Sequence, residues 1–136
     1  MLLTCDTCGS AMLLDSSAFL AFINPSDQHN PAAVNFISSA PSVEIHEVSL
    51  AESLAQASAS DAVSHVLAVI EGLQATVVNS SGLEGAVRVA GIRDRTGLPL
   101  PDCYVLDSAE QLGISVLSFD VRLNKSALKM GLRTFM

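Results

Sequence analysis

Two brief apolar runs set the architecture. "AMLL" at residues 11–14 and "ISVLSF" at 114–119 are short, bounded and apolar almost throughout. Runs of four to eight such residues fit strands that are buried on both faces. Strands of that kind belong to parallel sheets covered by helices on either side. Each run is closed by a carboxylate, Asp15 in the first case and Asp120 in the second, and each leads into a helical pattern. A carboxylate drawn into an apolar setting is costly unless something pairs with it or coordinates it.

The stretches between the two runs alternate in the same way. Ser16 to Ile23 reads as a helix stopped by Asn24-Pro25. A second helix is expected from about Asn30 to Ala40, with Pro41 ending it, and then a strand over Val43 to His46. Ser49 to Ala57 has helical spacing, and Asp61 is expected to cap a helix carrying Val63, Val66, Leu67, Ile70 and Leu73. Thr76 to Val78 reads as a short strand. Leu83, Val87 and Ala90 form the expected face of the next helix, which ends near Gly97. In "GLPLPD" the two prolines predict a loop up to Asp102, where a helix to Leu112 begins. A helix from Arg122 to Met130 and an edge strand from Leu132 to Phe135 complete the chain. Strands alternating with helices imply right-handed βαβ units in one α/β domain.

The 136 residues suffice for a single core. There is no apolar run of membrane-spanning length. The start of the chain also lacks the basic-then-apolar order of a signal peptide, so a cytoplasmic protein without membrane contact is expected. Cys5, Cys8 and Cys103 are then expected to be free thiols, and the Cys5-x-x-Cys8 pair has no second pair with which to build a zinc site. A formal net charge of −7 excludes coating nucleic acid by charge alone. It leaves open a nuclease whose carboxylates hold divalent cations.

In open α/β sheets, ligands bind beyond the carboxyl ends of the strands. Asp15 and Asp120 occupy such positions, and Asp102 opens the helix that leads into the second strand. Two carboxylates about 5 Å apart repel by about 3 kcal/mol at an effective dielectric near 20. A divalent cation reverses that sign, and oxygen donors of this kind suit Mg²⁺ or Mn²⁺. Each of the three also stands where a helix begins, so capping alone is the competing role; Asp27 and Asp61 are assigned to capping only. Glu52 lies at the edge of a polar arc with Ser49, Ser53 and Gln56, and its spacing alone suits a solvated surface residue.

"MLLDSSAFLAFIN", "VSLAESLA", "LPLPDCYVLDSAEQLG" and "VLSFDVRL" together resemble, in order and spacing, the four sequence blocks of PIN-domain proteins. Within that family they are most similar to the VapC-type toxin ribonucleases of bacterial toxin–antitoxin pairs. The resemblance runs from about residue 12 to 135, making residues 1–11 an extension and 12–136 the domain. It implies a PIN-like three-layer α/β/α sandwich with a five-stranded parallel sheet, and Mg²⁺- or Mn²⁺-dependent cleavage of RNA. It places the family's four acids on Asp15, Glu52, Asp102 and Asp120 as catalytic metal ligands. Its orienting hydroxyls fall on Ser17 and Ser118, whose competing role is local capping. Arg122 and Lys125 are candidates for phosphate contact, although helix surface charges of this kind are commoner. A homodimer and a VapB-type antitoxin that inserts a basic residue among the acids are also implied. Asp107 replaces a residue that is usually small. Val121 and Arg122 stand where some members carry a further acid, which implies one firmly held metal and a second recruited with substrate. The rival readings are a catalytically inactive PIN-like module that binds RNA or protein, and a different Mg²⁺-dependent phosphotransfer or phosphatase domain, disfavoured because no lysine precedes Lys125.

Overall fold

The computed structural model describes residues 11–136. Cys5, Cys8 and all of the expected extension except Ala11 lie outside the described residues. Strands β1 (Met12–Leu14), β2 (Val43–His46), β3 (Thr76–Val78) and β4 (Ser115–Leu117) form a parallel sheet in the order β3-β2-β1-β4. Leu14 lies opposite both Ile45 and Leu117, so β1, β2 and β4 finish nearly level and share one rim. The chain moves outward from β1 to β2 and β3, then returns to the other side of β1 as β4. The strand order therefore reverses at β1 and β4, where open α/β sheets place their ligand crevice.

Period-two alternation explains the layers. Met12 and Leu14 face a core built with Ala18, Phe19, Ala33, Ile37 and Val66. These residues belong to α1 (Ser16–Ile23), α2 (Asn30–Ser38) and α4 (Val63–Leu73), and α3 (Glu47–Ala59) adds Ala57. Leu13 faces the opposite core with Val89, Ile92, Val105, Leu106, Leu123 and Ala127. Those come from α5 (Gly82–Thr96), α6 (Leu100–Leu112) and α7 (Val121–Lys129). Cys103 is a buried free thiol in this second core. Among the described residues no helix is long and apolar enough to cross a membrane.

Several expectations are corrected. Among the described residues the sheet has four strands rather than five. The segment expected as an edge strand makes one parallel bridge, Val116 to Thr134, with two backbone hydrogen bonds of 3.0 Å. Asp61 does not cap α4; it sits in the left-handed region at φ 61°, and Ala62 precedes the helix. α6 begins at Leu100 rather than Asp102, because Pro101 falls in the first turn, where a missing N–H leaves no helical bond unmade. Asp102 is thus a first-turn residue and not a cap. On α5 the expected face is reversed: Leu83 is 81% and Val87 64% exposed, while Gly85, Val89 and Ile92 are buried. On α3, Ser49 and Ser53 are buried, Glu52 is half-buried and Gln56 is exposed, so only one side of the polar arc packs inward.

Gly85 shows why α5 turns this face to the core. A Cβ there would stand 2.8 Å from the carbonyl carbon of Ser80. Helix propensity favours Gly85→Ala by about 1 kcal/mol, but overpacking against backbone costs about 1–3 kcal/mol. Gly85→Ala is expected to lower the urea midpoint, whereas Gly91→Ala, with open space around its Cβ in the same helix, is expected to raise it. Equal shifts for the two variants would contradict this packing.

Candidate active site

Asp15 leaves β1 and caps α1, and it is buried. Its Oδ1 accepts from the Ser17 hydroxyl at 2.7 Å and the Ala18 amide at 2.9 Å, and its Oδ2 from the Ser118 hydroxyl at 2.5 Å. A carboxylate offers about four lone-pair sites, so these three bonds leave room for one more partner. The hydroxyls are themselves tied down. Ser17 Oγ accepts from the Phe119 amide and Ser118 Oγ from the Asp120 amide, each at 3.0 Å. The end of β4 is thereby stitched to the start of α1. Burial raises the Asp15 pKa, and Asp120 adds to this, against the lowering effect of its three hydrogen bonds.

Asp120 caps α7, accepting from the amides of Arg122 and Leu123 at 2.9 and 3.3 Å. The ring of His29 lies flat on Phe119, with centroids 4.5 Å apart, at the side of this turn. Asp102 approaches from α6. Burial, then the charges of Asp120, Asp15 and Glu52, push its pKa up to about 6, with Arg122 opposing. Glu52, half-buried on α3, therefore faces the same rim as the other three. Arg122 and Lys125 are exposed on α7.

The structure thus brings Asp102 within electrostatic reach of Asp15, Glu52 and Asp120, and Asp15 within reach of Asp120, from four separate elements. It does not draw them into a cage: among the described residues no three His, Cys, Asp or Glu side chains are set to hold a metal ion together. The donor set still fits Mg²⁺ in kind. This ion takes oxygen ligands, keeps several waters and is commonly held by one or two carboxylates.

Beyond this group, sequence reasoning missed a second buried polar cluster. Asp107, fully buried on α6, accepts from Arg88 Nε at 2.8 Å and from the Ser80 hydroxyl at 2.8 Å. Ser80 Oγ lies 3.3 Å from His46 Nε2, and His46 Nδ1 accepts from the Val48 amide at 3.0 Å. The amide contact fixes the tautomer, so Nε2–H donates to Ser80 and Ser80 donates to Asp107. Burial lowers the His46 pKa and keeps the ring neutral, against the pull of Glu47 and Asp107. Five elements are joined this way: β2, α3, the β3–α5 loop, α5 and α6. The available signal was of the kind that singled out Asp15, a carboxylate in an otherwise apolar setting, here beside Val105 and Leu106 within α6.

A comparison with protein-family models matches residues 12–128 to the PIN domain. A comparison with curated protein sequences returns no match. Among solved structures, the chain is similar to the Mycobacterium tuberculosis toxin VapC20, described as Sarcin-Ricin loop cleaving. The TM-score is 0.69 at 16% identity, covering 85% of this chain and 94% of that one. It is also similar to DNA-bound VapBC from Salmonella typhimurium, with TM-score 0.67, 21% identity and coverage of 92% and 96%. For VapBC2 from Rickettsia felis, bound to a DNA fragment from its promoter, the figures are 0.66, 12%, 91% and 96%. At these identities the likeness is one of fold. Together with a family match over most of the length, it establishes that this chain belongs to the PIN domain family.

Proposed function

We propose that the protein is a metal-dependent endoribonuclease and the toxin of a VapBC-type toxin–antitoxin pair. Asp15, Glu52, Asp102 and Asp120 would hold Mg²⁺ or Mn²⁺. The observation that carries this reading is that Asp102, a half-buried carboxyl already raised by desolvation, also feels the charges of three sequence-distant acids, Asp120, Asp15 and Glu52, so that its pKa rises to about 6. Such mutual repulsion has no benefit to the fold, and pKa values displaced in this way mark candidate functional sites.

A divalent cation bound there would neutralise phosphate charge and lower the pKa of an attacking water. The chain's own contribution is to hold the donors. Ser17 and Ser118 fix both oxygens of Asp15, and the caps at Asp15 and Asp120 lock two of the carboxylates to helix starts. Arg122, whose charge already acts on Asp102, stands where it can meet a substrate phosphate.

A basic residue from an antitoxin would relieve the same repulsion, which supports a protein partner, and similar folds are known from VapBC complexes. A homodimer belongs to this reading as well. Cleavage of a fluorogenic RNA is expected to vanish in EDTA and return with Mg²⁺ or Mn²⁺; cleavage indifferent to chelation would refute metal dependence. The non-catalytic RNA- or protein-binding reading is favoured by one observation, the lack of a ready three-ligand group among the described residues. Calorimetric titration with Mg²⁺ separates the two, since a mere scaffold has no use for the ion.

A further inference from the structure

The rim continues past the four acids. Beside the first turn of α3 lies a cavity of about 430 Å³, lined by His46, Glu47, Val48, Ala51, Ser80 and Tyr104. It opens at the ends of β2 and β3, and β2 is one strand spacing, about 4.8 Å, from β1. Val48 and Glu52 lie one turn apart on the same face of α3, so the wall of the cavity leads directly to a site acid. Tyr104 belongs to the same helix as Asp102.

We propose that this cavity is a nucleobase subsite, in which an unstacked RNA base next to the scissile phosphate lies against Tyr104 and offers an amino edge to Glu47. The proposal rests on the RNA-cleavage reading. Its chemistry follows from what lines the space. No lysine or arginine is present there, so the phosphate itself is not the occupant. Two rings are present, Tyr104 and His46, with centroids 5.2 Å apart and planes tilted by 46°. Both His46 nitrogens and the Ser80 hydroxyl proton are committed to the buried cluster, so these side chains offer surface rather than free donors. Among the described residues no side chain hydrogen-bonds or ion-pairs with the Glu47 carboxylate. An aromatic wall with one free anionic acceptor selects a flat, neutral group carrying N–H donors. Single-stranded RNA is read in this way, by bases stacked on aromatic side chains and hydrogen-bonded along an edge. The volume lies at the lower end for small-ligand pockets and suits one nucleoside. Cytosine presents an exocyclic amino group to a carboxylate, whereas uracil offers only an N3–H flanked on both sides by carbonyl oxygens that repel it.

The chain has one tyrosine and no tryptophan, so its intrinsic emission reports Tyr104 alone. Cytidine is expected to quench that emission saturably, after correction for its absorbance, and uridine to bind about tenfold more weakly. Glu47→Gln should erase this preference while the far-ultraviolet dichroism stays unchanged. Quenching by neither nucleoside, or equal quenching by both, would overturn the subsite. An RNA-cleavage assay on oligonucleotides run alongside separates the two ideas. Cytidine discrimination without any cleavage leaves the subsite standing and removes the nuclease reading. Cleavage without discrimination does the opposite.

Discussion

Asp102→Asn is expected to abolish RNA cleavage and to make the fold more stable. Removing even the hydrogen-bonding partner of a metal ligand typically costs 10–100-fold, so losing a ligand should cost more than about 100-fold in kcat/KM. The gain in stability follows from the carboxyl's pKa. An acid raised from its ordinary 3.8 to about 6 stays protonated in the folded chain at pH values where the unfolded chain has released its proton. Folded stability therefore falls as pH rises through that window, and above it the whole penalty is felt. The gap sets a ceiling of about 3 kcal/mol. Asp102 is half-exposed, and screening by water leaves about 1–2 kcal/mol of this. Thermal denaturation should show Tm higher by about 3–8 °C at pH 7.5, a smaller gain near pH 4, and a weaker stabilisation by added Mg²⁺ than in the parent protein. An inactive variant that melts lower at neutral pH would mean that Asp102 supports the fold rather than strains it.

The second large effect concerns the buried pair behind the rim. Arg88→Leu is expected to lower Tm by about 10 °C, because it leaves the Asp107 charge buried without its cation. Asp107→Leu alone should do less harm, since Arg88 is partly exposed and can turn to water. The Arg88→Leu, Asp107→Leu double variant should recover most of the loss, as buried ion pairs replaced by apolar groups of similar size commonly do. Strictly additive losses in the double variant would show that the two side chains do not act on each other.

Much of the architecture was readable because its signals are local. β2 and β3 and the whole of α1 fall where apolar runs, Asn24-Pro25 and Pro41 place them. Asp15 was conspicuous for the same reason, a charge inside an apolar stretch. Legibility stopped where the deciding partner is remote. Leu83 and Val87 satisfy helical spacing as well as Val89 and Ile92 do, and it is remote contacts, the close approach of Gly85 to Ser80 and the packing of Val89 and Ile92 against Leu106 and Leu123 among them, that distinguish the two faces. The inward turn of Ser49 and Ser53 depends on neighbours that small side chains admit but do not announce. Asp107 looked superfluous until folding set Arg88 against it. The start of α6 was misplaced because a proline in a first turn and a proline in a loop look alike in a string of letters.

Two of the acids on the rim also begin helices, and that double employment governs how the protein can be dissected. An alanine scan would take the first amide partners from α1 or α7 along with any ligand, so a dead variant at Asp15 or Asp120 would not distinguish lost chemistry from a frayed helix. Asparagine caps nearly as well as aspartate, and it is the replacement that silences the charge while sparing the scaffold.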